Sequence, residues 1–466
     1  MKLTVEQSTL QELIETTKNA VAAKPTDVIL GNLLITASAE RKLTAIGTNL
    51  NLSIESTIEA SIENAGSAAL PAKLLVDTVS NLKGQLTIEV NNRTCVIHHS
   101  TGKCRIQGGN PEEFPSLPES SNAIIITIPC KKLQAAMDAT LYCSSSDETK
   151  LVLTGVNFQF HNTSWQAATT DGHRLALVSG SLDTGYPTPI EFTVPAKSLV
   201  ELNKILAQTA ENSTCDILIE EKTVRFVLAN AKITSRLLEG DYPHINNLIP
   251  KSFAHKFTLE RKAFEMSLKR IAHFTERKQK IVKIVWEVSN GQATLFTEAS
   301  DIGDAVDSLL MKPYSSSTVD INIGLNIQYL QEALRHILTD EVIIQCNNSL
   351  QPVVICPVGG LLNQLSLIMP VEIKQEFSSI PTNSKQTQEN DTDKFSESSE
   401  PKGIQEKEEH RAQSPELPDL TNAQEIEEQS PPGEEALNDT ATEPETPTLN
   451  TSSKSRKRNQ KPVAAV

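Results

Sequence analysis

The chain has 466 residues and a formal net charge of −15, and 38% of its residues are apolar, against ~45–50% in an average globular protein. At roughly 100–200 residues per domain, this length predicts about three domains. No run reaches the ~18 consecutive apolar residues of a membrane helix, and the amino terminus lacks the apolar core of a signal peptide, so we expect a soluble, cytoplasmic protein without membrane contact.

The charge is concentrated in the last fifth of the chain. Residues 375–466 carry 19 acidic and 10 basic residues and 9 of the 24 prolines, whereas residues 1–374 carry 39 acidic and 33 basic residues. The composition of residues 375–466 predicts a disordered tail, because it offers too little apolar surface to offset chain entropy. The tail ends in the basic cluster SKSRKRNQK, which could touch nucleic acid, fold back on the acidic residues or simply remain solvated.

The seven cysteines are odd in number and scattered, and no two form a C-x-x-C pair. This spacing argues against a disulfide framework and against a zinc site, and it favours reduced cysteines in the cytosol. We therefore expect no metal and no cofactor.

A strand-then-helix pattern occurs three times in the first 374 residues. The three segments are LTVEQSTLQELIETT from Leu3, ITIPCKKLQAAMDAT from Ile126 and FTLERKAFEMSLKRIAHF from Phe257. Leu10, Leu133 and Phe264 occupy matching positions in them, each followed by apolar residues at helical spacing. The pattern predicts three copies of one structural unit.

A second strand-then-helix element repeats at nearly the same interval. Its copies are ALPAKLLVDTVSNL from Ala69, TVPAKSLVELNKIL from Thr193 and NIGLNIQYLQEALRHI from Asn322. Short alternating runs lie around these helices and predict antiparallel strands, with a hairpin at the Asp171-Gly172 step. The sequence therefore predicts an α+β fold of three domains, residues 1–122, 123–252 and 253–374, each with two helices against sheets.

Positive charge recurs at the outward positions of the predicted helices, for example at Lys73, Lys197 and Arg261. Many acidic residues fall instead in predicted loops and strands, as at Glu112 and Glu220. If all six helices share one face, that face is positive. Such a face would suit DNA, although a lysine-bearing helical face is more often only a solvated surface.

Several stretches, taken together, resemble a known family. They are LPAKLL, GNPEEFPSLPE, LTGVNFQ, ATTDGHRLAL, VPAKSLVEL, LLEGDYPHINNLIPK and LSLIMPVEI. In this order and at these intervals, over residues 1–373, they are similar to the bacterial β sliding clamp, the processivity subunit of the DNA polymerase III holoenzyme. The resemblance implies three DNA-clamp domains per chain and a head-to-tail dimer that forms a closed six-domain ring. The tail lies outside it.

The resemblance also implies a function and a set of partners. The ring encircles double-stranded DNA, slides without sequence specificity and tethers the polymerase for processive replication, and it is not itself an enzyme. The implied partners are DNA, a second copy of the chain, the replicative DNA polymerase α subunit, the clamp-loader ATPase, and other polymerases and repair factors that bind through short linear motifs.

The resemblance places a first set of site residues on the DNA-facing side. The implied DNA contacts are Lys24, Lys73, Asp147, Lys150, Leu151, Val152 and Lys197. Leu151 and Val152 stand where proteobacterial relatives have a pair of tyrosines, and neither can hydrogen-bond a base or a phosphate. Lys150 would then supply the contact by charge.

A second implied site is a hydrophobic groove between the second and third domains, which receives the linear motif of partner proteins. Its expected walls are Leu153, Thr170, Gly172, His173, Arg174, Leu175, Pro243, Leu248, Val353, Met369, Pro370 and Val371. Met369 offers a wall that adapts to several partners. Val371 replaces the second methionine of many relatives, so partner affinity is expected to differ.

The ring joint is expected at a strand edge. The strand around Lys103, Arg105 and Ile106 in the first domain should pair with the third domain of the partner copy, near His273 and Phe274. An apolar contact and ion pairs would complete this joint.

Two other functional classes remain open. Asp171, His173 and Arg174 could act as acid and base in an enzyme, although the sequence contains no G-x-S-x-G, H-E-x-x-H or G-x-x-x-x-G-K-[ST] motif. A scaffold that kept the groove but lost loading onto DNA is the third reading. Without a nucleotide-binding motif, opening of a ring would require a separate ATPase.

Overall fold

The computed structural model describes residues 1–116, 122–276, 280–299, 301–313 and 319–373. The predicted tail, residues 375–466, lies outside them. In the described part of the chain, no helix is both long and apolar enough to cross a bilayer.

The first predicted domain, domain I, contains nine strands and two helices. Its strands are β1 (Lys2–Glu6), β2 (Asn32–Ala37), β3 (Lys42–Thr48), β4 (Leu52–Glu59), β5 (Ser61–Asn64), β6 (Gly66–Pro71), β7 (Gln85–Asn91), β8 (Thr94–His99) and β9 (Gly102–Gln107). Its helices are α1 (Gln7–Lys18) and α2 (Ala72–Val79).

Domain II repeats this arrangement with eight strands. They are β10 (Ile124–Pro129), β11 (Gly155–Phe160), β12 (Ser164–Thr170), β13 (Arg174–Ser181), β14 (Ile190–Pro195), β15 (Thr214–Ile219), β16 (Thr223–Val227) and β17 (Ala231–Arg236). Its helices are α3 (Cys130–Thr140) and α4 (Ala196–Leu206).

Domain III repeats it again. Its strands are β18 (His255–Glu260), β19 (Ile281–Glu287), β20 (Gln292–Ala299), β21 (Gly303–Leu310), β22 (Lys312–Pro313), β23 (Ile321–Asn326), β24 (Glu341–Cys346), β25 (Val353–Pro357) and β26 (Asn363–Ile368). Its helices are α5 (Arg261–Ile271) and α6 (Ile327–Arg335).

The six helices are those predicted from the sequence repeat. Each of α1, α3 and α5 begins directly after a strand, and Leu10, Leu133 and Phe264 bury their side chains against the sheets. Pro71 and Pro195 close β6 and β14 immediately before α2 and α4, because proline tolerates a helix start but not its interior. The pattern of two helices per domain is therefore confirmed.

Continuous antiparallel sheets join the three domains. The eight-stranded sheet has the order β10-β15-β16-β17-β4-β3-β2-β6, so β17 of domain II pairs with β4 of domain I. The nine-stranded sheet has the order β14-β11-β12-β13-β26-β25-β24-β18-β22, so β13 of domain II pairs with β26 of domain III. The two junctions are therefore sheet extensions, not flexible linkers.

The two remaining sheets lie at the two ends of this body. Domain I contributes β5-β1-β7-β8-β9, and domain III contributes β21-β20-β19-β23. Within the described residues, β9 and β21 each pair with one strand only. In the repeated unit, β9 corresponds to β17 and β26, and β21 corresponds to β4 and β13. These four corresponding strands are the ones that pair at the two internal junctions.

The helices lie side by side in the order α2, α1, α4, α3, α6, α5. Within each domain the two helices contact each other. Between domains I and II, Glu12 and Glu15 of α1 line one cavity with Glu201 and Lys204 of α4. Between domains II and III, Tyr142, just after α3, stacks on His336 at the end of α6 with ring centroids 4.5 Å apart. We call this arrangement the helix row.

Candidate functional site

The helix row is more positive than the rest of the folded chain. The row's basic residues are Lys18, Lys73, Lys131, Lys132, Lys197, Lys204, Arg261, Lys262, Lys269, Arg270 and Arg335. Its acidic residues are Glu12, Glu15, Asp77, Asp138, Glu201, Glu265 and Glu332. The row thus has 11 basic and 7 acidic residues, a net charge of +4, while residues 1–374 as a whole carry −6.

Some acidic residues of the row pair with neighbouring cations. Lys204 Nζ lies 2.8 Å from Glu201 Oε1, and Lys269 Nζ lies 2.7 Å from Glu265 Oε1. The hydrogen bond from Lys269 lowers the pKa of Glu265, so this carboxylate remains charged. Only 7 of the 39 acidic residues in residues 1–374 lie in these helices, as expected, but they offset part of the lysine and arginine charge, so the row is mildly rather than strongly cationic.

Three of the expected DNA contacts are exposed lysines. Lys24 lies in the loop after α1, and Lys73 lies in the first turn of α2. Lys197 is the second residue of α4, and its ammonium group lies 3.5 Å from a carboxylate oxygen of Glu148, with both side chains almost fully exposed. An exposed pair of this kind is worth at most about 1 kcal/mol, so Lys197 can exchange this partner for a phosphate.

The other expected DNA contacts lie in the segment before β11. Asp147 caps the 3-10 helix Glu148–Thr154, and hydrogen bonds from the Thr149 hydroxyl and backbone N–H lower the pKa of Asp147. Lys150 and Leu151 are exposed. Val152 is half-buried and packs against the apolar cluster beneath the groove. This packing leaves less of Val152 than of the exposed Leu151 available to DNA.

An apolar cluster forms the base of the expected groove between domains II and III. Its buried members are Leu153, Ala168, Leu175, Tyr242, Ile245, Val354 and Leu367. Leu248 follows the cluster residue Ile245 by three positions and Met369 follows Leu367 by two, and their side chains are 48% and 41% exposed. Pro243 is also exposed, and Pro370 and Val371 are half-buried. An apolar base with exposed apolar side chains suits an extended peptide with one or two anchors.

The loop between β12 and β13 is fixed by local hydrogen bonds. The Thr170 hydroxyl donates to Arg174 O at 2.7 Å, and Gly172 N donates to the Thr170 hydroxyl at 3.1 Å. Gly172 has φ +93°, a conformation that strains residues with a Cβ. The predicted hairpin is thus confirmed, with four residues, 171–174, between the last paired positions Thr170 and Leu175.

The segment after β26 is anchored at two points. Met369 N donates to His173 O at 2.9 Å, and Val371 N donates to Gly324 O at 2.8 Å. A Cβ at position 324 would lie 2.6 Å from Val371 O, so only glycine allows this approach. The segment that carries Met369, Pro370 and Val371 is therefore held in place by one hydrogen bond to domain II and one to domain III.

Two expected groove residues do not face the groove. Val353 is fully buried in the core of domain III, whereas its neighbour Val354 belongs to the groove cluster, because adjacent strand residues point to opposite faces. Arg174 directs its side chain into the junction between domains II and III, where it pairs with Asp171 and Glu332. The sequence interpretation also missed Val354, Tyr242, Ile245 and Leu367; strand alternation around Val353 could have suggested Val354.

Two of the three residues considered for acid–base catalysis, Asp171 and Arg174, are engaged in structural contacts. The Asp171 carboxylate accepts hydrogen bonds from the backbone N–H groups of His173 and Arg174 and from Arg174 Nε. Burial raises the pKa of the nearby Cys143 thiol to about 12, so it stays protonated. In the described part of the chain, all seven cysteines are free, and no cluster of three or more His, Cys, Asp or Glu side chains could hold a metal.

The expected ring-joint residues divide into exposed and buried positions. Lys103 and Arg105 are exposed on β9, whereas the side chain of Ile106 is buried in the core of domain I, so Ile106 can take part in the expected joint through its backbone only. His273 and Phe274 follow α5 in a 3-10 helix that contacts β20 and β21. The edge strand β21 itself was missed; its place in the third copy of the repeat could have revealed it.

Comparison with known proteins agrees with this architecture. Family models of the DNA polymerase III beta subunit match the chain in three parts: the N-terminal domain at residues 1–118, the central domain at 127–244 and the C-terminal domain at 246–371. The beta sliding clamp of Synechocystis is 32% identical over 401 residues, covering 80% of this chain and 100% of the relative. The beta sliding clamp of Synechococcus elongatus is 29% identical, with 80% and 100% covered.

A solved structure shares the fold. The crystal structure of the DNA polymerase sliding clamp from Bacillus subtilis superposes with a TM-score of 0.74 at 28% identity, covering 80% of this chain and 100% of that chain. Sequence, domain order and structure agree over the same part of the chain. The chain therefore belongs to the family of DNA polymerase III beta subunits, the bacterial β sliding clamps that act in DNA replication.

Proposed function

We propose that two copies of this chain close head to tail into a six-domain ring that encircles double-stranded DNA and tethers the replicative polymerase. The observation that carries the proposal is the pair of open strand edges, β9 and β21, at the two ends of a body whose internal junctions are already sheet extensions. Each copy would offer β9 to β21 of the other.

The internal junctions supply a template for this pairing. Each junction joins two sets of three consecutive strands through the last strand of each set. In the first junction β4 of β2-β3-β4 pairs antiparallel with β17 of β15-β16-β17, and in the second β13 of β11-β12-β13 pairs antiparallel with β26 of β24-β25-β26. The helices beside these strands follow the same rule, since α1 contacts β4 and α4 contacts β17, while α3 contacts β13 and α6 contacts β26. At the open ends, α5 contacts β21 and α2 contacts β9. Pairing β21 with β9 would extend the helix row from α5 of one copy to α2 of the other.

The side chains of the two edges are complementary. β9 presents the cations Lys103 and Arg105, and β21 carries the exposed Asp304, whereas Asp307 on β21 already pairs with Arg270 of its own chain. At the junction of domains I and II, the equivalent strands already form such a pair, with Lys232 Nζ 2.9 Å from Glu55 Oε1. Leu310 at the end of β21 is 83% exposed in the single chain, which favours a covered surface in the assembly.

The mildly positive helix row fits a topological mode of DNA binding. A ring cannot leave a closed duplex sideways, so it needs only weak attraction to phosphates, which is independent of sequence and permits sliding. Lys24, Lys73 and Lys197 are exposed and can supply this attraction, with Lys150 and Leu151 beside them in the expected set. Because its lysines share the row with acidic residues, the row would centre the DNA without holding it at one place.

The groove between domains II and III would receive the partners. Its buried apolar cluster, with Leu248 and Met369 exposed nearby, suits the short linear motifs of the polymerase α subunit, of the clamp-loader ATPase and of other polymerases and repair factors. The chain itself would be non-catalytic, which agrees with the engagement of Asp171 by three N–H donors. Opening of the ring is then the work of the clamp loader.

One experiment tests the ring. The full chain is loaded with clamp loader and ATP onto a nicked circular plasmid, isolated by gel filtration and then challenged with a restriction enzyme that cuts the plasmid once. We expect retention on the circle and release after linearisation. Light scattering should give the mass of a dimer. A monomeric mass, or retention unaffected by linearisation, would contradict the topological mechanism.

A further inference from the structure

We propose that Arg174 is a positioning residue that ties the peptide groove to helix α6, so that changes at the helix row alter peptide affinity without touching the peptide. The inference rests on the proposed function of the groove. It assigns to Arg174 a role different from the groove wall expected from the family resemblance.

The guanidinium group of Arg174 is committed on every side. Its Nε donates to Asp171 Oδ2 at 2.9 Å, its Nη1 donates to the carboxylate of Glu332, and its Nη2 donates to Tyr142 O at 3.0 Å. The side chain is only 11% exposed. Little of it is left to meet a peptide.

Two aromatic rings flank the same group. The guanidinium carbon lies 4.5 Å from the ring centroid of Tyr329 and 5.5 Å from that of Tyr142. Burial works to lower the pKa of Arg174, but its hydrogen bond to Glu332 and the charges around it outweigh burial and raise that pKa. Arg174 therefore stays charged, and a buried charge must keep its partners.

The partners of Arg174 belong to two different surfaces. Asp171 lies in the loop before β13, whose His173 carbonyl accepts the N–H of Met369 and so holds the segment expected to form the groove wall. Glu332 and Tyr329 lie on α6. Glu332 falls between Gln328 and Arg335 on the exposed stripe of that helix, and its side chain is 40% exposed. Arg174 is thus a physical link from the helix row to the loop of the groove.

The link predicts what happens when Glu332 loses its charge. The guanidinium would lack one of its two carboxylate partners and would shift, which would weaken its bond to Asp171. Because Asp171 also accepts the N–H groups of His173 and Arg174, the loop and its bond to Met369 would loosen. A bound peptide would then have to order a looser groove, and its affinity would fall.

The test uses Glu332→Gln in the full chain and a fluorescent synthetic peptide that carries the clamp-binding segment of the replicative polymerase. We expect affinity to fall about five- to tenfold, the lower end of coupling between distinct sites. The matched control is Glu55→Gln, which removes the interdomain ion pair with Lys232 at the other internal junction and should leave affinity unchanged. Hydrogen exchange at the amide of His173 should accelerate in Glu332→Gln and not in the control.

A double-mutant cycle completes the test. If Arg174 acts through Glu332, the loss in Glu332→Gln should disappear in an Arg174→Gln background. Wild-type affinity and exchange in Glu332→Gln, with a large loss in Arg174→Gln, would overturn the inference and make Arg174 a peptide contact. Equal losses in Glu332→Gln and Glu55→Gln would overturn it in favour of general destabilisation. Leu248→Ala distinguishes failure of this inference from failure of the proposed groove. If Leu248→Ala also binds the peptide with wild-type affinity, the proposed groove itself is wrong.

Discussion

The groove and the helix row differ in how they are built. The groove rests on fully buried side chains such as Leu175 and Val354, and backbone hydrogen bonds fix the segments expected to flank it. The helix row presents exposed lysines whose positions are set only by their helices and whose neighbours include carboxylates. The groove is therefore defined by its fixed shape, and the helix row is defined by its net positive charge.

This difference matches two kinds of ligand. A peptide with defined side chains gains affinity from a rigid apolar pocket, because few groups must be ordered when it binds. A DNA backbone that slides past the surface must be met equally well at every position, which excludes fixed, directional contacts. One chain can therefore be selective on one side and indifferent on the other.

The largest expected effect separates the two surfaces by opening the ring. Val306→Asp with Leu310→Asp places charges on the exposed apolar side chains of β21 and should prevent pairing with β9 of a second copy. We expect a monomer by light scattering and complete loss of plasmid retention. Peptide affinity should be unchanged, because the groove lies within one chain. Retention by this variant would contradict a joint at β21.

The second effect concerns the groove alone. Leu248→Ala with Met369→Ala truncates the two exposed apolar side chains and should weaken peptide binding about 30-fold, equivalent to the ~2 kcal/mol of an interface hot spot. Calorimetry measures the change, and plasmid retention serves as the control because it should not alter. This pair of substitutions is sharper than deleting residues 369–371, since the deletion would also remove the bond from Val371 N to Gly324 O. Unchanged peptide affinity would refute the groove.

The third effect concerns the helix row alone. Lys24→Glu with Lys73→Glu reverses two exposed charges and should reduce loading onto the plasmid about tenfold at low salt, with a smaller reduction at high salt where phosphate attraction is screened. Dimer mass and peptide affinity should not change. Normal loading of the double variant at low salt would remove these lysines from the DNA-facing set.

The smallest effect tests how rigid the groove must be. Gly324→Ala adds a Cβ 2.6 Å from Val371 O and should displace the segment after β26. We expect a two- to fivefold loss of peptide affinity, on the order of 0.4–1 kcal/mol. Gly185→Ala is a suitable control, since a Cβ there meets no atom within 4 Å, although its φ of +70° adds some backbone strain. Equal affinities in wild type and Gly324→Ala would show that the groove tolerates movement of this segment.

The sequence predicted the parts of the fold that repeat along the chain. The helix positions followed from apolar spacing around Leu10, Leu133 and Phe264, and the hairpin followed from the Asp171-Gly172 step. Both signals are local, because a helix stripe or a turn is encoded within a few residues. The family resemblance then supplied the expected location of a groove, and the structure contains an apolar cluster there that includes Leu153 and Leu175.

The remaining features depend on contacts between distant residues. A strand alternates its side chains, but the alternation does not say which of Val353 and Val354 faces the groove. The surroundings of Arg174 combine Tyr142, Tyr329 and Glu332, which the sequence separates by up to 158 positions from it. The sequence of strand β21 does not alternate between apolar and polar residues, so it gives no strand signal of its own. Only its position in the third copy of the repeat, which corresponds to β4 and β13, identifies it as an edge strand.

The continuous sheets have a mechanical consequence for the proposed assembly. The proposed ring would contain six junctions between domains. Four of them lie within the two chains, where the backbone continues across the junction, and two lie between the chains, where only side chains and strand pairing hold the domains together. Transient opening of the ring should therefore occur mainly at the two junctions between chains. A clamp loader would need to open only one of these two junctions. The other five junctions could deform elastically, and their relaxation would close the ring again.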